Sequence, residues 1–536
     1  MSVADQITRL NTAKADIKTA IESHSITVPS SAKIDTYDDY INQIGDSTYW
    51  THDWKFKRPA GWPDIDTLYD DSPNYCWMVA SFDCRRRIAD ESVMDGFCFY
   101  KTGSTNVIVE RFKLVDGEFV LANTATQSSN DTYFELLPRD EGDYVVYRFR
   151  FNNSTGVYIR FGNGGSNLAD FSAVRKSNDY TIWNTTAMEI IVNGSRSMSL
   201  PAPRSPYLRR FEIRNFKNPS SSYITQWANL RNNPSLEYLD ASFDTTNGNT
   251  AFTTLNSCFR DNGKLKVLKL NNWNVANVTT LAYCFENCYS VEKIEGINTW
   301  DTAKVTSLIE TFYNCCSLKE INISTWNTAL VTRADYCFGN CSYLENIDLS
   351  GWNTVKMTNM NYMFYRNLAL KSLTIGTNFV ATALTAMAHM FNGCYSMTTN
   401  PLSGRTWACG NVTNYQYMFY ENYALKEMDM SNWDLTKVTS ASYAQNVFAY
   451  CYNLRKVVLP TTTKVMHANY FDYCYNLETI IVNATTPPTW AVTSTFLGRL
   501  HPNYKIYVPD ASVNSYKSAS GWVNAADHIY SINDLT

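Results

Sequence analysis

The chain has 536 residues, enough for several domains, and is nearly balanced in charge, with 46 basic against 50 acidic side chains and 18% charged residues. That balance excludes the basic face a nucleic-acid partner needs, and no stretch approaches the roughly 18 apolar residues of a membrane span. Aromatic residues make up 14% of it, with 36 Tyr and 14 Trp, a composition suited to recognition surfaces and assembly interfaces.

Residues 1–48 read as helical. Val3, Ile7, Leu10, Ile17 and Ile21 take a and d positions of a heptad in which Lys14 and His24 also fall. A second short helix follows Pro29, with Asp35 as cap, Tyr37, Tyr40, Ile41 and Ile44 as apolar stripe, and Gly45 as stop. The amphipathic start has no continuous apolar h-region and is not a secretory signal. So short a segment has little core of its own to join. It is expected to attach or oligomerise the chain through Ile7, Leu10, Ile17 and Ile21, with a helical hairpin packed on its own chain as the alternative.

Residues 49–206 change character. "FCFYKTGSTNVIVERFKLVDGEFVL" and "DYVVYRFRFNNSTGVYIRFGNGG" alternate β-formers with turns at Gly103, Asp116-Gly117, Asn152-Asn153 and Gly162–Gly165. Such runs predict antiparallel hairpins, and together a β-sandwich or jelly-roll-like domain. "KRPAGWPDIDTL" leads into it, and the three prolines of "MSLPAPRSP" predict a short stiff linker after it. Trp50, Trp54, Trp62 and Trp77 gather near its start, where core or interdomain packing is favoured over a carbohydrate platform.

From residue 207 to 484 the chain repeats. Phenylalanines stand at 259, 285, 312, 338, 364, 391, 419, 448 and 471, roughly 26 residues apart, a period that means a solenoid or array. An aromatic precedes each unit (Trp273, Trp300, Trp326, Trp352, Phe379, Trp407, Trp433), and a threonine always stands six residues on, from Thr279 to Thr439. A threonine before an apolar-periodic run is an N-cap signal. Leu281, Cys284, Phe285 and Cys288 then fit one face of a helix of about two to three turns. Segments such as "YLENIDLS" and "ALKSLTIG" add a strand, so the expected fold is an α/β solenoid around a parallel sheet. The position three after the phenylalanine holds Cys288, Cys315, Cys341, Cys394, Cys451 and Cys474, but also Asn367 and Asn422. A small side chain meeting backbone at a buried turn accounts for that alternation better than a disulfide ladder or zinc.

The phrase W-(N/D)-x-x-x-V-T-x-(M/L)-x-x-(M/C)-F-x-x-C-x-x-L-x-x-I-x-(I/L)-S resembles the BspA-type leucine-rich repeats of surface-associated interaction proteins. The terminal segment 485–536 is similar to the cap that follows such repeats in proteins of the Bacteroides group. The first 48 residues resemble the opening segment of tail, fibre and other virion proteins of the crAss-like phages that infect those bacteria. The combination implies a virion fibre or appendage protein: residues 1–48 bind other virion proteins, the chain forms a trimer, and the solenoid meets a host glycan or surface protein. Localisation on a virion, as a surface appendage assembled in the host cytoplasm, follows from the same resemblance. A structural adaptor of the virion and a bacterial adhesin remain as alternatives.

No Gly-x-Ser-x-Gly, His-Glu-x-x-His or phosphate-loop pattern occurs, and "GNGGSN" (Gly162–Asn167) lies between β-runs as a turn. No enzyme activity, cofactor, metal, nucleic acid or membrane insertion is therefore expected. Two columns are candidate binding surfaces. One, two residues before the phenylalanine, holds Tyr283, Glu310, Tyr336, Tyr362, His389 and Tyr417. The other is the outward residue of each strand, with Lys269, Asn322, Asp348, Thr374 and Asp429. Binding is weighed in both against mere packing or solvation.

Overall fold

The structure is a computed structural model. It describes residues 230–243, 252–490 and 497–535, and upstream of these a set of separate segments between residues 65 and 228. The helical expectation for residues 1–48, including Ile7, Leu10, Ile17 and Ile21, lies outside the described residues, as do Trp50, Trp54 and Trp62.

The first strands are β1 (Tyr75–Asp83), β2 (Gly96–Lys101), β3 (Val107–Val115), β4 (Glu118–Gln127), β5 (Thr132–Glu135), β6 (Tyr144–Asn152), β7 (Val157–Phe161), β8 (Ala187–Asn193) and β9 (Met198–Ser199). β3 and β4 form the expected hairpin, with Val115 opposite Glu118 and Asp116 at φ 50°, the left-handed conformation a two-residue turn requires. The other two expected hairpins are corrected. β2 and β7 belong to a sheet ordered β5-β2-β7-β9, whereas β3 and β6 pair with each other and β6 with β1 in a second sheet. The chain thus passes between the two sheets after β2 and again after β6. Local turn signals mark where a strand ends but not which strand it then meets.

The second sheet does not stop at the repeats. β10 (Arg210–Arg214) pairs parallel to β8, and β11 (Tyr238–Asp240), β12 (Val267–Lys269) and β13 (Lys293–Glu295) follow in order, giving nine strands in one sheet. The β-domain is continuous with the first turns of the solenoid through the pairing of β8 with β10, and the expected proline linker lies outside the described residues. On one face of β10, Phe211 and Ile213 enter the solenoid core. On the other face Arg210 pairs with Glu189, Glu212 and Asp66, and Glu212 also holds Arg214. Arg210, Glu189 and Glu212 are buried, and buried charges survive only when paired.

Downstream the solenoid runs for about 11 turns, mostly β with little helix. Its strand side continues as β14 (Asn346–Leu349) with β15 (Ser372–Ile375), then β16 (Glu427–Asp429), β17 (Lys456–Leu459), β19 (Thr479–Val482), β21 (Lys505–Val508) and β22 (Ile529–Ser531), all parallel; the two-residue β18 (Val465–Met466) pairs with β20 (Thr489–Trp490). Between β15 and β16 the ladder is interrupted where Pro401, which has no N–H to give, lies in the turn. A short helix α1 (Val513–Ser518) closes the end. There Trp522 packs against Trp490 at 4.7 Å and Tyr516 at 4.8 Å, and donates its indole N–H to the Pro488 carbonyl at 2.7 Å.

The expected helix in each repeat is not there. Leu281 to Cys288 is a run of consecutive turns. Alternate amides close locally, with Cys284, Glu286 and Cys288 donating to the carbonyls of Leu281, Tyr283 and Phe285. The amides between them donate to the next repeat: Leu281 to Ser307, Tyr283 to Ile309, Phe285 to Thr311 and Asn287 to Tyr313. Every second N–H thus works as in a parallel sheet, and the rest as in β-turns, so no backbone group of this stretch needs a helix. The i, i+3, i+4, i+7 spacing arises because each four-residue turn returns the chain to the same wall.

The threonine is not a cap either. Thr306, Thr332, Thr358, Thr385 and Thr413 each donate both N–H and hydroxyl to the carbonyl of the threonine one turn earlier. The residue after each threonine forms a parallel bridge, from Thr280 through Ser307, Arg333, Asn359 and Ala386 to Asn414. Threonine recurs because one side chain can reinforce a rung of this second ladder.

Inside, the nine phenylalanines form one stack. Successive ring centroids from Phe259 to Phe471 are 5.2–5.8 Å apart, and no pair is tilted by more than 14°. The buried cysteines line it: Cys288, Cys315, Cys341, Cys394, Cys451 and Cys474 each give an S–H to the phenylalanine carbonyl one turn earlier, at 3.0–3.3 Å. Asn422 gives its amide N–H to the Phe391 carbonyl at 2.7 Å, so both residue types supply a donor to the same backbone position. Burial pushes the Cys288 and Cys394 thiols up to about 12, which keeps them protonated and unreactive. Cys316 stands half-exposed beside buried Cys315. Brief iodoacetamide treatment of the native protein, followed by peptide mapping, should label Cys316 well before Cys315; equal labelling would contradict this packing.

Candidate functional site

The six residues of the tyrosine column lie in one file, and their backbone is unusual. Tyr283, Glu310, Tyr336, Tyr362, His389 and Tyr417 all have φ between 50° and 60°. This left-handed conformation is cheap for Gly or Asn and uncommon for a bulky side chain. It arises because each consecutive turn needs one left-handed residue. A second such file four residues on holds Asn287, Asn314 and Asn340, whose amides bond to one another down the file at 2.8 Å, followed by Arg366 and Glu421. Tyrosine in the first file is therefore not what the backbone prefers.

Its rings repay part of that cost by stacking. Tyr336, Tyr362, His389 and Tyr417 form a near-parallel pile with centroids 4.3, 4.3 and 4.6 Å apart. Burial in the pile lowers the His389 pKa to about 4, so the imidazole is neutral at physiological pH. Its Nδ1 then accepts from the Asn392 amide at 2.9 Å. All six residues of the column are partly exposed, and the ring faces of Tyr336, Tyr362, His389 and Tyr417 meet one another. In the middle of the column each ring therefore packs on the ring of the next turn while its residue stays partly exposed.

At the N-terminal end the file turns acidic. Glu286 is buried and paired with Arg260 at 3.0 Å, with Glu310 and Asp261 nearby; Arg260 also stands over the Tyr283 ring at 5.6 Å. Burial, aided by Glu310 and Asp261, raises the Glu286 carboxyl to about 7, and burial likewise raises Glu310. A carboxyl raised in the folded state favours folding below its unfolded pKa, and that contribution is lost as pH rises through the folded value. Stability from this pair is expected to fall by ~1 kcal/mol between about pH 4.5 and 7, a figure discounted for solvent screening. Denaturant titrations of the Glu286→Gln variant should lose that slope; an unchanged slope would remove Glu286 as its source.

A further set of aromatics was missed in the sequence. The residue after the Cys/Asn slot carries Tyr395, Tyr423, Tyr452 and Tyr475, stacked at 4.4, 5.1 and 6.2 Å. Tyr452 and Tyr475 are 38% and 49% exposed. Beside them Tyr450 stacks on Tyr473 at 4.6 Å, and Arg499 stands 4.4 Å over Tyr473. Tyr420 links this field to the first, edge to face with Tyr417 and Tyr450, each at 5.3 Å. The recurring Cys-Tyr or Asn-Tyr pair at 394–395, 422–423, 451–452 and 474–475 was the signal available.

The strand-face column is less convincing. Asn322 and Asp348 are exposed and Asp429 half-exposed, but Asp348 and Asp429 each accept the amide two residues on, from Ser350 at 2.9 Å and Ser431 at 2.8 Å. Those carboxylates close the turn after the strand. Lys269 pairs with Asp240 at 3.7 Å, and Thr374 is exposed. The two columns run beside different ladders, so the structure does not bring them together. Among the described residues no group of three or more His, Cys, Asp or Glu is placed to hold a metal ion, and no helix is long and apolar enough to cross a membrane.

Fold and stacked files define a mostly β, parallel solenoid with an aromatic flank. A family model described as "Mycoplasma protein of unknown function, DUF285" matches residues 253–379 and 370–477. Among solved structures, the chain is similar to a leucine rich cell surface protein from Faecalibacterium prausnitzii, at 18% identity over 50% of this chain and 79% of that one, with a TM-score of 0.28. It is also similar to a leucine-rich repeat protein from Bacteroides ovatus (15% identity, 65% and 94% coverage, TM-score 0.28) and to an internalin from Listeria monocytogenes (11%, 64% and 86%, TM-score 0.21). No curated protein matches the chain.

Proposed function

We propose that this is a non-enzymatic surface-recognition protein, carried as a virion fibre or appendage of a phage infecting bacteria of the Bacteroides group. Residues 1–48 attach it and assemble a trimer, and the solenoid presents the tyrosine-rich flank to a host glycan or surface protein. The observation that carries the recognition reading is that flank: bulky aromatics held in a left-handed conformation that packing alone would give to Gly or Asn. Tyrosine supplies large, rigid contact area at low entropic cost. Several copies on one particle would turn weak single sites into high avidity. The phage setting is supported by the resemblances of residues 1–48 and 485–536.

The test uses the full chain, because a fragment starting at residue 207 would strip β8 from β10 and leave Arg210 and Glu212 without Glu189 beside them. Fluorescent full-length protein should be retained by host cells, and Tyr450→Ala with Tyr473→Ala, both in the left-handed conformation, should reduce retention. A chain that joins particles but binds no cell would instead be an adaptor. A chain lacking residues 1–48 should fold but fail to join particles; normal assembly would end the attachment reading.

A further inference from the structure

We propose that Tyr313, Tyr365 and Tyr420 form a platform for a neutral, unbranched polysaccharide lying along the solenoid axis, with one aromatic face under every second sugar; this deepens, and rests on, the recognition reading above. The three tyrosines share the position directly after the stacked phenylalanines. Along that file large and small residues alternate: Tyr313, Gly339, Tyr365, Asn392, Tyr420, Ala449. The alternation is spatial as well as sequential, since a Cβ on Gly339 would come within 2.9 Å of the Tyr313 ring. The small residue makes room for the ring of the turn before it.

The orientation of these rings differs from that of the column beside them. Tyr365 lies at 82° to Tyr362, with centroids 5.4 Å apart, and at 82° to Tyr336. Both faces of Tyr362 are already taken, by Tyr336 and His389 at 4.3 Å each. Tyr365 must therefore turn a face to the rims of the pile, which leaves its other face directed away from it. Tyr313 and Tyr420 are also set steeply across the column, at 69° to Tyr336 and 66° to Tyr417, and Tyr420 stands at 66° to Tyr450 as well. All three are partly exposed. The column's ring faces are taken up by one another, whereas the Tyr365 ring is set across the pile with Arg366 5.7 Å over it.

The spacing selects the ligand. One face every two turns, with turns about 4.8 Å apart, gives a repeat of about 10 Å along the axis. That is the length of a disaccharide unit in an extended chain, whose apolar ring faces stack on aromatics while its hydroxyls point sideways. Between Tyr313 and Ala449 the file holds no charged residue, and Arg260, Glu286 and Asp472 take the same position only in the turns beyond it, so its middle suits a neutral polymer. Hydroxyl partners stand alongside: the exposed Arg366 guanidinium, 5.7 Å over the Tyr365 ring, and Glu421, which the Tyr395 hydroxyl meets at 3.3 Å.

The experiment is affinity electrophoresis of the full chain in gels containing pullulan, glucomannan or mixed-linkage β-glucan as neutral, essentially unbranched polymers, with alginate as an anionic polymer. Retardation by at least one neutral polymer is expected. Tyr365→Ala should weaken it about tenfold, equivalent to 1.4 kcal/mol, whereas Tyr365→Phe and the off-file Tyr443→Ala should not. Thermal melts confirm that each variant is folded. Retardation that Tyr365→Ala leaves unchanged overturns the platform but not the recognition reading. No retardation by any neutral polymer, or by alginate alone, overturns the neutral-polysaccharide assignment; the recognition reading falls only if the intact chain also fails to bind host cells.

Discussion

Replacing Phe364 by alanine is expected to cost about 3–5 kcal/mol of unfolding free energy, the range for emptying a buried aromatic site. Its ring is fully buried between Phe338 at 5.7 Å and Phe391 at 5.2 Å, near the middle of a nine-ring stack. The neighbours cannot close the gap, because each is fixed by its own turn: the Phe364 amide donates to Met390, and the Phe364 carbonyl accepts the Cys394 thiol. In a solenoid each turn contacts only its neighbours, so a weak turn also uncouples the two sides. Urea unfolding should therefore broaden or split into two transitions as the midpoint falls. A loss below about 1 kcal/mol with one sharp transition would mean that the stack is not continuous in solution.

Replacing Gly376 by alanine is expected to cost about 3 kcal/mol, at the upper end of ordinary overpacking. The added Cβ would fall inside the van der Waals shell of the Ser350 carbonyl oxygen one turn earlier, and Gly351 stands in the same relation to the Ser324 carbonyl. These are backbone atoms, so the clash can be relieved only by separating two turns. Thr374→Ala, two residues away and exposed, should change stability by less than about 0.5 kcal/mol. Equal midpoints for the two variants would show that the turns separate freely at this edge.

Much of the scaffold was legible in the sequence, and for a clear reason. Repetition makes every turn report the same environment, so the phenylalanine, tryptophan and cysteine positions could be recognised as buried without knowing the fold. The helix could not be rejected in the same way. An apolar spacing of three and four residues is produced by a helix and equally by consecutive four-residue turns. What separates them is whether alternate amides point to a neighbouring turn, and that is invisible in one chain segment. Threonine misled for the same reason: a hydroxyl that caps a helix and a hydroxyl that bonds a rung of a ladder follow the same apolar run. The tyrosine column was found, but not the parallel file at Tyr395, Tyr423, Tyr452 and Tyr475, because Ser342 and Leu368 interrupt it in sequence while its C-terminal rings still stack in space.

By itself the sequence determined the period, the inward residues and the need for small donors at the Cys/Asn position, since burial and repetition leave a pattern in any one unit. Only the tertiary structure decided that the units are turns and not helices, and that the β-domain sheet runs into the solenoid. It alone decided that Tyr336, Tyr362, His389 and Tyr417 stack face to face while Tyr365 is set across the pile. Each of these depends on contacts between residues about one turn or more apart, where hydrogen bonds and ring packing act between units and not within them.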